Sequence, residues 1–421
     1  MVKETYYEKS HDTFYEQEIG ISGENPPGKR GKRKVSTVLL TIIGSIFGII
    51  LIALLIALIK SPGKLPQLRD EHGNVIPGSI SEKTWVEIGG IKQGMFIRGE
   101  DPQNPVILYV HGGPGTPMLQ FIDYLGKTEK TDRLEKYFTV CYWDQRGSGM
   151  TYTKATDVST MTVEQMVEDT REVSEYLISR FGQEKIYLMG HSWGSYLSVR
   201  TLEKYPELYH AYVGVGQSSN FVESERMSYD YMLNHAKEIG DNEAVQKLES
   251  FDPFTESFPL IPEEGHQLDY LLVRTNLLNK YGVGHLHDTE VIKGLPFNLA
   301  FAKALLAFEG YTLREKINWF LGADFSMIYL FPLLKQADLF LRPAEFDLPF
   351  YIIQGDYDYM TSQTLAKVYL DSVQAPVKEL ITFENSAHSP NLEEPARFVE
   401  VFQKIAADVH AQENINRKLV G

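Results

Sequence analysis

Three kinds of apolar pattern follow one another along this chain. The first is unbroken: residues 35–59 contain no charge. Wound as a helix at about 1.5 Å per residue, such a run reaches roughly 37 Å, enough for a hydrocarbon core of about 30 Å. The second kind is a set of short apolar runs at 105–110, 138–143, 185–189, 211–215, 350–354 and 378–383. Runs of this length, rich in Val, Ile and Tyr and bounded by Gly, Pro or Asp, predict buried strands. The third is helical spacing, clearest over 162–181, with Thr162 as cap and Gln165 three residues on. Strand and helix alternate from 105 onward, which predicts a mostly parallel sheet with helices on both faces. Residues 85–88 and 95–98 about Gly89-Gly90 predict an early hairpin, and 217–345, aromatic-rich and without strand alternation, predict a helical cap inserted into the sheet.

Charge assigns a direction to the unbroken run. Lys29, Arg30, Lys32, Arg33 and Lys34 precede it, whereas Lys60, Lys64 and Arg69 follow it mixed with Asp70 and Glu71. The positive-inside rule then keeps 1–34 in the cytoplasm and exports the rest. A cleaved signal peptide would have a shorter apolar core and a small-x-small site, and Leu58-Ile59-Lys60-Ser61-Pro62 is a poor one. The expected organisation is therefore a cytoplasmic tail (1–34), a transmembrane signal anchor (35–59) and a Pro-bearing linker (60–80). A core in two parts (81–216 and 346–421) follows, interrupted by the cap (217–345). Residues 1–34 hold seven basic and six acidic residues, so the exported part, with the remaining 34 basic and 50 acidic residues, carries a net charge of −16. An acidic ectodomain argues against nucleic acid as a partner. The single cysteine, Cys141, excludes an internal disulfide and reads as a small core residue.

Candidate chemistry lies at the ends of the predicted strands. Gly190-His191-Ser192-Trp193-Gly194 falls between a strand and a helix beginning near 195, the place of a nucleophile elbow. An acid and then a histidine are expected after later strands. Asp356 and Asp358 both leave the strand at 350–354, and Asp358 is preferred. Of the histidines beyond it, His410 falls in a charged terminal helix, which leaves His388. The turn His111-Gly112-Gly113-Pro114-Gly115 can aim a backbone N–H, that of Gly113, at a developing oxyanion, with the N–H of Trp193 as second donor. His285, His287 and Asp288 look like a metal cluster but lack a third spaced histidine, and read as surface.

Taken together, H-G-G-P-G at 111–115, D-Q-R-G-S-G at 144–149, G-H-S-W-G-S at 190–195 and the S-A-H ending at 388 resemble the proline iminopeptidase group of α/β-hydrolases, over roughly 81–410. The resemblance implies an α/β-hydrolase fold with Ser192 as nucleophile, His388 as base and then acid, and Asp358 as its orienter. It also implies Asp144 and Arg146 as buried supports, most simply an ion pair. An acyl-enzyme mechanism with these residues requires no metal or organic cofactor. The acidic cap segments with which that group holds a substrate amine, of the W-x-x-W-E and E-N-H-Y-F kind, are absent. Glu223, Glu225 and Glu309 are the candidate replacements. The expected function is a membrane-anchored serine aminopeptidase acting on short peptides, with the bilayer as its other partner. The alternative is an esterase, thioesterase or other acyl hydrolase, whose pocket Tyr229, Tyr231, Trp319, Phe320 and Phe325 could line.

Overall fold

The computed structural model describes residues 30–129, 133–251 and 266–420, so most of the expected cytoplasmic tail lies outside the described residues. The apolar run forms one helix, α1 (Arg30–Ile59). Its segment Val38–Ile59 has a mean hydropathy of 3.1. Length and composition suit a membrane span.

The second unit is built on one eight-stranded sheet. Its strands are β1 (Ile80–Ile88), β2 (Ile91–Gly99), β3 (Val106–Val110), β4 (Thr139–Trp143), β5 (Ile186–His191), β6 (Tyr209–Val215), β7 (Phe350–Gly355) and β8 (Lys378–Phe383). They lie in the order β1-β2-β4-β3-β5-β6-β7-β8. β1 and β2 form the expected antiparallel hairpin, β2 meets β4 antiparallel, and every later pairing is parallel. The central strands are buried on both faces, which is why they read as continuous apolar runs rather than alternating ones.

Alternation nevertheless decides which core each side chain enters. Leu108, Leu188 and Ile352 meet α3 (Val163–Phe181), α4 (Trp193–Leu202) and α10 (Gln363–Ser372) on one face. Ile107, Met189 and Ile353 meet α2 (Leu119–Glu129) and α12 (Pro395–Val420) on the other. The short α11 (Pro390–Glu393) precedes α12. Thr162 caps α3 through a 3.1 Å bond from the Gln165 amide, but the Gln165 side chain turns to Asp169 at 2.9 Å and leaves the capping box open.

Between β6 and β7 the chain is helical, as its pattern predicts. α5 (Phe221–Glu238), α6 (Asn242–Glu249) and α7 (His266–Lys280) enclose a small core of their own around Met232, Leu248 and Leu278. α8 (Phe297–Ala307) and α9 (Leu313–Leu330) instead join the core beneath the sheet through Phe301 and Trp319. The expected linker is packed as well. Leu65 and Leu68 are buried, Pro62 bridges to Thr312, and the Lys64 amide donates to the Glu309 carbonyl at 3.0 Å. Two leucines in a Pro-rich stretch are enough to draw it onto the fold.

One expected ion pair is replaced by another. Arg146 does not pair with Asp144; its Nε and Nη2 donate to Asp169 on α3 at 2.8 and 2.9 Å, and Nη2 also to the Gly89 carbonyl at 2.8 Å. Both partners are essentially inaccessible to solvent. Removing one charge of such a pair strands the other, at a cost of about 3–5 kcal/mol. Asp169→Ala is therefore expected to destabilise the full chain by that amount, read from denaturant unfolding in detergent. A loss under about 1 kcal/mol would show that the pair is not the clamp between α3 and the hairpin.

Candidate active site

The turn after β5 is forced by close backbone packing. An added Cβ on Gly194 would sit 2.0 Å from the Val110 carbonyl oxygen, and one on Gly190 would sit 2.4 Å from the Gly194 carbonyl oxygen. Only glycine fits where backbones cross so closely. The crossing holds Ser192 at φ 56°, ψ −122°, a conformation that costs a non-glycine residue about 1–3 kcal/mol. Ser192 is half-buried between buried neighbours, so its hydroxyl remains reachable. α4 begins at Trp193, two residues earlier than the helical spacing indicates, which puts the Trp193 amide in its first turn.

Of the two candidate acids, the structure brings Asp358 to the histidine. Asp358 is 2% exposed, and its Oδ2 accepts from His388 Nδ1 at 2.9 Å. The same carboxylate accepts from the Gln354 side chain at 2.7 Å, from the Thr361 hydroxyl at 2.9 Å, and from the Met360 and Thr361 amides at 2.9 and 3.0 Å. Asp356 is exposed, and its carboxylate accepts from the Gln363 side chain at 2.6 Å. The His388 ring lies over Gly216, where an added Cβ would meet its Nδ1 at 2.9 Å. The Ser192 amide donates to the neighbouring Val215 carbonyl at 2.9 Å, so serine and imidazole flank the same strand end. No hydrogen bond joins the Ser192 hydroxyl to the ring among the described residues, a looseness common before substrate binds.

The loop after β3 is tied to the elbow by Gln145, which the sequence reading passed over between Asp144 and Arg146. Its side-chain amide donates to the His111 carbonyl at 2.9 Å, its carbonyl oxygen accepts from the Trp193 indole at 3.2 Å, and its backbone N–H donates to His111 Nε2 at 3.3 Å. Gly113, within that loop, has φ 114°. Asp144, rather than meeting Arg146, accepts from the Met150 amide at 2.8 Å and the Tyr311 hydroxyl at 2.7 Å.

Histidines other than His388 take part in the packing. His191 Nε2–H donates to the His388 carbonyl at 2.9 Å, with the rings 4.8 Å apart. Burial, reinforced by His388, pushes its pKa down to about 3. The loop carrying His285, His287 and Asp288 is not plain surface, because it forms a wall beside Asp358 and His388. The His388 amide donates to the Gly284 carbonyl at 3.2 Å and the Tyr359 amide to the Val283 carbonyl at 3.1 Å. His285 stacks on Phe297 with centroids 4.0 Å apart, and burial holds its pKa near 3. Glu393 staples this wall to the residue before His388, accepting from the Asp288 amide at 2.9 Å and the Ala387 amide at 2.8 Å. Among the described residues no group of three ligating side chains could hold a metal.

The three candidate amine anchors separate. Glu223 is exposed, 3.7 Å from Arg226, and Glu309 is exposed on the turn that meets Lys64. Neither is buried. Glu225 is fully buried, but Arg274 Nη2 lies 2.5 Å from its carboxylate and also donates to the Met360 carbonyl at 3.0 Å. Its charge is already matched, a pairing 49 residues apart in sequence that spacing could not reveal.

Asp144 gives this site a pH signature. Burial pushes its carboxyl up to about 7, against the stabilising bonds from Met150 and Tyr311. The folded state therefore holds a proton that the unfolded chain releases near pH 3.8, so this contribution is full below pH 3.8 and is lost as pH rises through 7. Asp144→Asn keeps an acceptor for both donors and removes the titration. Relative to that variant, the wild type is expected to lose on the order of 2–4 kcal/mol between pH 4 and 8. Parallel stability curves in denaturant titrations across that range would overturn the assignment.

Comparison with known proteins bears on the fold. The model of the α/β hydrolase fold family matches residues 105–395. The chain is 32% identical over 328 residues to "Probable aminopeptidase YbaC" of Bacillus subtilis, covering 78% of this chain and 97% of that one. It is 24% identical over 312 residues to a "Proline iminopeptidase" of Saccharolobus solfataricus, covering 73% and 86%. The crystal structure of a proline iminopeptidase from Mycobacterium smegmatis superposes with a TM-score of 0.52 at 15% identity, over 80% of this chain and all of that one, which speaks for the fold. An eight-stranded mixed sheet with a strained serine turn after β5 and a carboxylate-bound histidine after β8 thus agrees with the family match, and the chain belongs to the α/β-hydrolase family.

Proposed function

We propose that this hydrolase works through an acyl-enzyme on Ser192 and acts as an aminopeptidase on short peptides, held to a membrane by α1. The observation that carries the chemistry is the 2.9 Å bond from His388 Nδ1 to buried Asp358, beside a serine in a strained turn. With Nδ1–H engaged, Nε2 presents its lone pair and takes the Ser192 proton as the hydroxyl oxygen attacks the substrate carbonyl carbon. The Gly113 and Trp193 amides receive the oxyanion, the latter at the positive end of α4. His388 returns the proton to the leaving amine, and a water, deprotonated in turn by His388, releases the acyl group and restores Ser192.

The aminopeptidase reading is supported by the names of the relatives, one of which aligns along almost its whole length. The Glu225–Arg274 pair favours a second reading, a general acyl hydrolase, since it matches the charge of the one candidate carboxylate that is buried, while Glu223 and Glu309 are exposed. The acidic second unit and the basic flank before α1 favour an exported hydrolase with its N-terminus in the cytoplasm.

Ser192→Ala in the full chain is expected to abolish both turnover and labelling by a fluorophosphonate. Asp358→Asn should lower kcat by on the order of 10³–10⁴-fold, with Asp356→Asn within about threefold of wild type. Persistent labelling of the Ser192 variant, or the reverse ranking of the aspartates, would overturn the assignment. Aminoacyl-arylamides should be cleaved and their N-acetylated forms spared. Turnover of acyl nitrophenyl esters without arylamidase activity would select the second reading.

A further inference from the structure

α9 has two faces with different destinations. The inner face is buried against the loops beside the elbow: the Trp319 indole donates to the Pro117 carbonyl at 3.2 Å and the Ser326 hydroxyl to the Gly147 carbonyl at 3.0 Å. The outer face presents Ile317, Phe320, Leu321 and Ile328, each between 40% and 62% exposed, with Asp324 as the polar member among them. Their spacing puts them on one stripe of the helix, where a water-facing surface is ordinarily polar. Leu306, in the last turn of α8 and 61% exposed, lies beside the first turn of this stripe, because the Lys316 ammonium donates to its carbonyl at 2.7 Å.

The same ammonium donates to the carbonyl of Lys60 at 3.2 Å. Lys60 is the residue at which the charge-free run ends. Pro62 and Lys64 are fastened to Thr312 and Glu309, on the turn that leads into α9. A chain leaving a bilayer at Lys60 is thus bound at once to the base of the apolar stripe, with no free linker between them. Lys60, Lys64, Lys303 and Arg314 are exposed near this end of the stripe and outnumber the exposed Glu309 on the same turn, although the unit as a whole is acidic. An apolar helix face with basic residues at its rim fits the boundary between acyl chains and anionic headgroups.

We propose that the outer face of α8 and α9 rests in the surface of the bilayer that α1 spans, so that the insertion covering the site is docked on lipid. This rests on reading α1 as a membrane anchor. The test uses the full chain in vesicles of phosphatidylcholine and phosphatidylglycerol, with an environment-sensitive fluorophore on Phe320→Cys, on Leu321→Cys, and on Asp371→Cys for comparison. Cys141 is buried and serves as an unlabelled background. Shallow nitroxide-bearing lipids are expected to quench the labels at 320 and 321 at least threefold more than the label at 371, and aqueous iodide to show the opposite order. Labels at 320 and 321 that iodide reaches and lipid nitroxide does not, in protein that resists alkaline extraction, would overturn the docking and leave the anchor standing. Extraction by alkali would overturn the anchor and the docking with it. Labels shielded from both quenchers would mean that protein, a partner or a second copy, covers this face, which also overturns the proposal.

Discussion

The site depends on how closely the turn after β5 crosses the end of β3. With Gly194 against the Val110 carbonyl there is no room for a side chain, and the only way through is the strained backbone of Ser192. Such strain persists only where surrounding structure over-determines it. Here the determinants are β3, β5 and β6, buried on both faces and paired in parallel register. Each fully buried Val, Leu or Ile side chain contributes about 1.5–3 kcal/mol, so the strands can hold a turn that costs about as much as one of them. The same crossing brings the His111–Gly115 turn over the elbow, where Gln145 can satisfy both at once.

Burial divides the labour among the histidines. His111, His191 and His285 have pKa values pushed down to about 4, 3 and 3, chiefly by desolvation, so each is a neutral donor–acceptor with a fixed tautomer. His111 Nδ1–H is given to the Gly112 carbonyl and His191 Nε2–H to the His388 carbonyl. Of these four rings only His388 has a carboxylate on its nitrogen. A positive charge in this cluster would therefore be stabilised at one ring, which the neutral neighbours brace. Glu225 illustrates the opposite arrangement: a buried carboxylate matched by Arg274 leaves little charge to offer a ligand.

What could be read from the sequence is what is local. Strand runs, the Thr162 cap, the helical run at the N-terminus and the glycines about Ser192 each announce themselves within a few residues, because sterics and burial act at that range. Asp358 could be preferred over Asp356 but not separated from it, since the difference lies in five hydrogen bonds made after folding. The misses are pairings across long separations. Arg146 finds Asp169 rather than its neighbour Asp144, the His285 loop finds the backbone of His388, and Leu65 finds the core beneath the insertion. Composition gave no warning of these, because a buried arginine or a loop histidine looks like any other until its partner is placed.

α9 shows why composition alone misleads in the other direction. It is apolar enough to pass as a membrane span, yet its faces answer different constraints. On the inner side Gly322 and Ser326 are small because Gly115 and Gly147 come within contact distance. An added Cβ on Gly115 would meet Ser326 Cβ at 2.4 Å, and one on Gly322 would meet the Gly147 carbonyl oxygen at 3.0 Å. On the outer side large apolar residues remain uncovered by the rest of the fold. Lys316, buried among carbonyls of Lys60 and Leu306, and exposed Asp324 would both be costly inside a hydrocarbon core. Those two charges, and the packing of its inner face into the fold, argue against a crossing helix and are compatible with one lying along an interface. The helix that packs on the loops beside the elbow is in this way also the one whose Lys316 holds the Lys60 carbonyl, and any contact on its outer face would bear directly on the loops that carry Gly115 and Gly147.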